Sequence, residues 1–183
     1  VNKPDAVLGL ATGTTPIGLY KKMIEDCKNN GTSYKNIKTV NLDEYVGLDV
    51  TSDQSYRYFM NDNLFDHVNI DKANTYVPNG KSSDMIAECQ DYDDRIKEMG
   101  IDIQLLGIGL DGHIGFNEPE DHFTKETHVV TLDPSTIEAN ARFFEKKEDA
   151  PTQAVTMGMA SIMKAKTIIL LATGKAKHDA VKE

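Results

Sequence analysis

The residues best suited to chemistry lie together in Gly107–Pro119 (GIGLDGHIGFNEP). Within eight positions this stretch carries Asp111, His113 and Glu118, separated by glycines. A histidine between two carboxylates can be oriented by one and tuned by the other, which suits proton transfer near neutral pH. Glycines let the backbone turn sharply and approach a ligand closely. The stretch is therefore a candidate for general acid–base catalysis, and a glycine-rich turn with solvated side chains is the alternative.

Four apolar runs predict buried strands, and each is followed by polar residues. The runs are Ala6–Ala11, Ile37–Leu42, Ile101–Ile108 and Thr167–Ala172. The polar motifs after them are TGTTP (12–16), DEY (43–45), GLDGH (109–113) and TGK (173–175). The carboxyl ends of parallel strands share one edge of a sheet, where ligands bind in open α/β folds. We therefore expect the four motifs to converge on one pocket, although each motif is weak alone.

Two of these motifs have the form of an anion site. In TGTTP, Thr15 is a suitable N-cap and Pro16 a suitable first residue of a helix. The free N–H groups and the dipole of a helix N-terminus attract anions. Lys175, after a glycine at the start of the last predicted helix, is a second such arrangement. An ordinary capped helix and a surface lysine are the alternatives. Neither motif is a Walker A loop or a G-x-G-x-x-G fingerprint, so no nucleotide is implied.

Composition excludes several classes of partner. The chain has 183 residues and a formal net charge of −9, which argues against binding nucleic acid or an anionic membrane surface. Cys27 and Cys89 are far apart in the sequence, so a disulfide framework or zinc site is not expected, and reduced cytoplasmic thiols are the simplest interpretation. No apolar run has membrane-spanning length. No motif for a cofactor or metal is present, and we expect none.

Strands and helices alternate throughout the sequence. This pattern predicts an α/β fold with an open, mostly parallel sheet and helices on both faces, Rossmann-like and doubly wound. The length favours a single domain, residues 1–183. The chain begins at Val1, almost directly before a strand, and closes in a polar helical run. We therefore expect that both ends of the domain are missing from it.

Taken together, the motifs resemble the glucosamine-6-phosphate deaminase family, also described as glucosamine/galactosamine-6-phosphate isomerases. The matching stretches are LGLATGTTP, VNLDEYVGL, SYRYFMNDNLFDHV, LLGIGLDGHIGFNEP, ANARFF and TGKAK, and they span nearly the whole chain. The resemblance implies isomerising deamination of glucosamine 6-phosphate to fructose 6-phosphate and ammonia, without a cofactor. The sequence departs from the family at TGTTP, where TGGTP is usual, so Thr14 adds a side chain to this loop. The chains of the family are longer at both ends, which implies that an N-terminal helix and C-terminal elements are absent here.

The resemblance also implies roles for individual residues. Asp43 would be the base for enolisation, and His113 would open the sugar ring with Asp111 and Glu118 orienting it. Gly107 would line the sugar. The phosphate would be held by Thr12, Gly13, Thr14, Thr15, Arg142 and Lys175. The implied partner is a small-molecule sugar phosphate, in a cytoplasmic enzyme that is a monomer or a small homo-oligomer.

Two alternatives remain open. The 6-phosphogluconolactonases, which are ester hydrolases, are similar in fold and carry a related D-G-H loop, but their pattern resembles a D-E-R loop and lacks the N-E-P turn. A sugar-phosphate sensor would keep the anion site and lose the chemistry. The presence of Asp43, His113 and Glu118 argues against a sensor.

Overall fold

The computed structural model describes residues 3–119, 121–142, 144 and 146–182. Over these residues the strands are β1 (Val7–Leu10), β2 (Lys38–Asn41), β3 (Asp43–Tyr45), β4 (Thr75–Tyr76), β5 (Ile103–Leu106), β6 (His128–Thr131), β7 (Gln153–Thr156) and β8 (Thr167–Leu170). The α-helices are α1 (Ile17–Asn30), α2 (Tyr56–Asn63), α3 (Met85–Met99), α4 (Pro134–Ala141), α5 (Met159–Met163) and α6 (His178–Lys182). Short 3-10 helices cover Phe65–His67, Lys72–Asn74, Lys147–Asp149 and Lys175–Lys177.

Five strands form a parallel sheet in the order β4-β2-β1-β5-β8. On one face, Val40 packs with Tyr92 and Ile96 of α3. On the other face, Leu105 packs with Tyr20 of α1 and Met60 of α2. Helices therefore cover both faces of the sheet, and the predicted α/β fold is confirmed.

A second sheet was not predicted. Strands β3, β7 and β6 form a three-stranded antiparallel sheet in the order β3-β7-β6. Asp43–Tyr45 therefore does not form a turn after β2. One residue, Leu42, separates it from β2, and it continues as a strand that pairs with β7. The sequence does not predict this small sheet, because its strands have only three or four residues each and show too little alternation of polar and apolar residues.

The helix starts differ from expectation at the predicted anion site. Helix α1 begins at Ile17, and Pro16, not Thr15, is its N-cap residue, with no capping hydrogen bond from a side chain. The predicted cap at Thr15 is wrong by one position. The helix ends at Asn30, with Gly31 in the left-handed conformation as its C-cap. Among the described residues, no helix is long and apolar enough to cross a membrane.

Candidate active site

Three of the four predicted motifs, TGTTP, DEY and GLDGH, converge on one cavity of about 1100 Å³. It lies at the carboxyl ends of β1, β2 and β5, and its wall includes most of the residues singled out in the sequence. These are Thr12, Gly13, Thr14, Thr15, Asp43, Gly107, Asp111, His113 and Glu118. The sequence therefore identified nine of the residues that line the cavity.

Two of the predicted phosphate ligands are not part of this wall. Lys175 lies in the Lys175–Lys177 3-10 helix and is exposed, whereas Lys177, two residues further, is half-buried and lines the cavity. Arg142 follows the last residue of α4 and is exposed. Lys177 is therefore the cation of this turn that faces the cavity, and the assignment of Lys175 and Arg142 to the phosphate stays a prediction.

The loop from β1 to α1 is held firmly in place. The hydroxyl of Tyr20, a fully buried residue in α1, donates to the carbonyl of Ala11 at 2.5 Å. The same oxygen lies 3.3 Å from the amide of Ala11, which donates to it. The residues Thr12–Thr15, which we call the threonine loop, lie between Ala11 and Tyr20. They line the cavity just before the 14-residue helix α1. The N-terminal amides of such a helix favour a bound anion, as expected from the sequence.

Asp43 is the buried acid of the cavity. Its side chain belongs to β3, lines the cavity and is only 6% exposed. Burial, with a smaller contribution from the negative charge of Glu44, raises the pKa of Asp43 from 3.8 to about 8. A carboxylate with a pKa near neutral is suited to accept and return a proton during a reaction.

Glu44, the next residue, has the opposite environment, and the sequence analysis assigned it no role. It is also buried, but its carboxylate accepts four hydrogen bonds. The donors are the amides of Tyr45, Tyr56 and Arg57 and the hydroxyl of Ser55, which is the N-cap of α2. Glu44 thus fastens β3 to the N-terminus of α2, where a negative charge is favoured. Glu44 is the second residue of the D-E-Y motif, so the motif already held the residue that anchors this strand.

Asp111, His113 and Glu118 meet in the loop after β5. Nδ1 of His113 lies 2.7 Å from Oδ1 of Asp111 and 3.9 Å from Oε2 of Glu118. The shorter approach is a charge contact, since it lacks the alignment of a hydrogen bond. The amide of His113 also donates to Oδ1 of Asp111 at 3.3 Å. The three side chains are 40–55% exposed, so they face the solvent-filled mouth of the cavity.

The two carboxylates beside His113 differ in proton affinity. Burial raises the pKa of Asp111, but the amide and the imidazole of His113 outweigh this effect and hold the pKa below 3.8. Burial and a hydrogen bond with Asp111 raise the pKa of Glu118 above 4.5. Pairs of groups with pKa values pushed apart are typical of acid–base sites. Asp111 is therefore suited to stay charged beside the imidazole, and Glu118 to exchange a proton.

The geometry of this loop requires glycine at two positions. A Cβ atom on Gly109 would lie 2.3 Å from Nδ1 of His113 and 2.5 Å from Oδ1 of Asp111. Gly115 has φ +62°, a left-handed conformation that disfavours other residues, and its Cα faces Oδ2 of Asp43. Gly109 therefore leaves space for the side chains of Asp111 and His113 to meet, and Gly115 lets the loop approach Asp43.

The same three side chains could also bind a metal ion. Asp111, His113 and Glu118 each offer one ligand atom, and these atoms all lie within 4.8 Å of one another. Nδ1 of His113, a ring nitrogen that could serve as a ligand, already contacts Asp111, and clusters of exposed carboxylates are common without a metal. The expectation of a site without metal stays a prediction.

Three aromatic side chains form one wall of the cavity. The rings of Tyr45 and Tyr56 have centroids 4.9 Å apart, and that of Phe116 lies 5.7 Å from Tyr45. The hydroxyl of Tyr56 donates to that of Tyr45 at 3.3 Å and also hydrogen-bonds the side chain of Thr12. Burial raises the pKa of Tyr56, so this hydroxyl keeps its proton. Tyr56 therefore connects the threonine loop to β3.

Comparison with known proteins places these features in a family. Residues 2–183 match the family model described as glucosamine-6-phosphate isomerases/6-phosphogluconolactonase. The chain belongs to this family of sugar-phosphate enzymes. This confirms the resemblance inferred from the motifs.

Several individual relatives are similar over almost the whole chain. Glucosamine-6-phosphate deaminase of Clostridium novyi (strain NT) is 56% identical over 182 residues, which cover 99% of this chain and 76% of that protein. The enzyme of the same name from Clostridium beijerinckii is 59% identical over 181 residues, covering 98% of this chain and 75% of that protein.

Solved structures agree with this placement. A monomeric glucosamine-6-phosphate deaminase is 48% identical, with a TM-score of 0.92, over 99% of this chain and 76% of that one. The 6-phosphogluconolactonase of Thermotoga maritima is 24% identical, with a TM-score of 0.72, over 99% of this chain and 76% of that one. The second comparison supports the shared fold alone.

Proposed function

We propose that this protein catalyses the isomerising deamination of glucosamine 6-phosphate to fructose 6-phosphate and ammonia. The observation that carries the proposal is the single cavity that joins a buried acid, a histidine with two carboxylates and a helix N-terminus. Glucosamine 6-phosphate has a C2 proton for the buried acid to remove, a closed ring for the histidine to open and a phosphate for the helix N-terminus to bind. The relatives that are 54–59% identical carry the name of this activity.

The first step is opening of the sugar ring. His113 accepts the proton of the 1-hydroxyl and delivers a proton to the ring oxygen as the C1–O5 bond breaks. Asp111, with its low pKa, stabilises the charged imidazole and fixes its orientation. Glu118, with its raised pKa, lies 3.9 Å from the same nitrogen of the imidazole, Nδ1, and is placed to exchange protons with it.

The second step moves a proton along the open chain. Asp43 removes the proton from C2 and returns it to C1, which converts the 2-amino aldehyde through an enolamine into the 2-imino compound. Water then adds to C2 and ammonia leaves, giving the ketone. The pKa of about 8 allows Asp43 to take up the proton and to release it at neutral pH.

The phosphate group is bound at the other end of the cavity. Thr12 to Thr15 offer hydroxyl and amide donors beside the start of α1, and Lys177 adds a positive charge. Lys175 and Arg142 stay candidates for this role from the sequence. They lie outside the cavity wall in the present arrangement, so Lys177 is the better supported cation.

The alternative activity is hydrolysis of a 6-phosphogluconolactone ester. The family model includes both activities, but the lactonase structure from Thermotoga maritima is only 24% identical, against 48% for the deaminase structure. Tyr45, the third residue of the D-E-Y motif, and the Asn117–Pro119 turn also match the deaminase pattern and not the D-E-R pattern of the lactonases. A sensor without catalysis would have no use for a buried acid of raised pKa beside the sugar.

The decisive experiment measures ammonia release from glucosamine 6-phosphate and exchange of the C2 proton with deuterated water. The wild-type protein should do both. Asp43→Asn should lose both by about two to four orders of magnitude, the usual contribution of a general base, with substrate affinity nearly unchanged. Ester hydrolysis without ammonia would favour the lactonase, and binding without turnover would favour the sensor. Normal exchange in Asp43→Asn would assign the base elsewhere.

The remaining features of the proposal concern the organisation of the protein. Residues 1–183 belong to one catalytic domain of a cytoplasmic enzyme that uses no cofactor. It is a monomer or a small homo-oligomer, as supported by the similarity to a monomeric deaminase. Size-exclusion chromatography with light scattering tests the oligomeric state.

A further inference from the structure

Thr156 lies between the two proposed catalytic groups, Asp43 and the loop that carries His113. It is the last residue of β7, the central strand of the antiparallel sheet, and is fully buried. In the register of that sheet, Thr156 is directly opposite Asp43 on β3. Residues directly opposite in an antiparallel pair direct their side chains to the same face. The hydroxyl of Thr156 therefore shares a face with the carboxylate of Asp43.

That face is covered by the loop that carries His113 and Glu118. The amide of Phe116 donates a hydrogen bond to Oγ1 of Thr156 at 3.1 Å. A Cβ atom on Gly115 would lie 3.0 Å from that oxygen and 3.3 Å from Oδ2 of Asp43. The loop backbone thus rests on Thr156 and Asp43 together.

Other contacts tie the same loop to the same strand. The side-chain amide of Asn117 donates to the carbonyls of Ile114 and Met157, at 3.0 and 2.9 Å. The amide of Met157 in turn donates to the carbonyl of Leu42, next to Asp43, at 2.7 Å. The end of β7 is therefore the element that both the base and the histidine loop contact.

We propose that Thr156 is a positioning residue, whose hydroxyl holds the His113 loop at a fixed distance from Asp43. The inference rests on the proposed function and extends it to a residue that does not touch the substrate. Without the hydroxyl, the Phe116 amide loses its partner and the loop is free to move. Displacements of about 1 Å in an active site are enough to slow a reaction on the order of 100-fold.

The test compares Thr156→Ser with Thr156→Ala, which differ by the hydroxyl oxygen alone, and adds Thr156→Val, which keeps the shape of threonine. Thr39→Val is the matched control, because Thr39 is also a buried strand residue and its hydroxyl has no hydrogen-bond partner. The measurements are kcat, KM for glucosamine 6-phosphate and the hydrogen exchange rate of the Phe116 amide.

We expect Thr156→Ala and Thr156→Val to lower kcat by about 10- to 100-fold. KM should stay within about twofold, because the threonine loop at the phosphate end is held by α1 and not by β7. Exchange at Phe116 should accelerate by about tenfold or more in both variants. Thr156→Ser should restore kcat to within about threefold of wild type, and Thr39→Val should change none of the three quantities.

Several results would overturn the inference. One is a kcat in Thr156→Ala equal to that in Thr156→Ser, since the hydroxyl would then be irrelevant. Another is an unchanged exchange rate at Phe116. If Thr156→Val does not fold, the serine and alanine pair decides alone. If the wild-type protein releases no ammonia, the proposed function is rejected, and the exchange rates at Phe116 then decide whether the hydroxyl holds the loop.

Discussion

Replacing Asp43 by asparagine should make the protein more stable at alkaline pH, although it removes activity. Asp43 has a pKa of about 8 in the folded protein and about 3.8 when solvated. Between these pH values the folded state holds a proton that the unfolded state has released. The free energy of unfolding therefore falls as the pH rises from about 4 to about 8. Above pH 8, the folded protein carries the whole cost of a buried charge.

The size of this cost follows from the shift in pKa. Each tenfold change in proton affinity is worth about 1.4 kcal/mol, so the shift from 3.8 to about 8 corresponds to about 6 kcal/mol as an upper bound. Asparagine has no charge, but its NH2 group needs a hydrogen-bond acceptor, and its absence costs roughly 1–3 kcal/mol. We expect Asp43→Asn to be somewhat less stable than wild type at pH 4 and several kcal/mol more stable at pH 9.

The assay is unfolding in urea, followed by circular dichroism at pH 4, 6 and 9. Asp49→Asn is the control, because hydrogen bonds from Thr51 lower the pKa of the exposed Asp49 to about 2. Its carboxyl group has a pKa of about 2 in the folded protein and 3.8 when solvated, so it is ionised in both states from pH 6 to pH 9. This variant should therefore shift the stability by nearly the same amount at those two pH values. Parallel stability curves for wild type and Asp43→Asn would refute the reasoning, since they would show that Asp43 titrates alike in both states.

Three further predictions concern the cavity. Gly109→Ala should abolish most of the activity while the protein still folds, because its Cβ would collide with His113; activity within about threefold of wild type would show that the loop can adjust. Lys177→Ala should raise KM for the 6-phosphate about 10- to 100-fold, the loss of one charge-assisted hydrogen bond, with Lys175→Ala as the control; the reverse result would restore the assignment made from the sequence. His113→Gln should slow the reaction of the closed sugar ring more than that of an open-chain analogue, and equal losses would place His113 after ring opening.

Much of the site could be predicted because its position depends on sheet topology. Apolar runs identify parallel strands, and the carboxyl ends of parallel strands lie on one edge, so TGTTP, Asp43 and the His113 loop had to meet. That inference needs no knowledge of side-chain conformations. It correctly placed TGTTP, Asp43 and the His113 loop around one cavity, because each follows the end of a strand in the central part of the sheet.

The sequence does not show which side chain of a short helix faces the cavity. Lys175 and Lys177 are two residues apart on a single 3-10 turn and therefore point in different directions, and it is Lys177 that lines the cavity. The pairing of Asp43 with Thr156 joins positions far apart in the chain. Strands of three or four residues show too little alternation of polar and apolar residues to predict which strands pair. The contact of Thr156 with the His113 loop could therefore not be predicted from the sequence.

Placing the proposed catalytic base on a strand restricts how this stretch can change during evolution. In β3, Asp43 faces the cavity and Glu44, the next residue, faces the start of α2. Successive residues of a strand point to opposite sides, so a deletion of one residue before Asp43 would turn Glu44 toward the cavity, and an insertion would turn Asp43 toward α2. Either change would remove the aspartate from its place in the cavity. Changes in length are thus expected in the loop at Asp49–Ser52, and substitutions without a change in length between Asn41 and Tyr45.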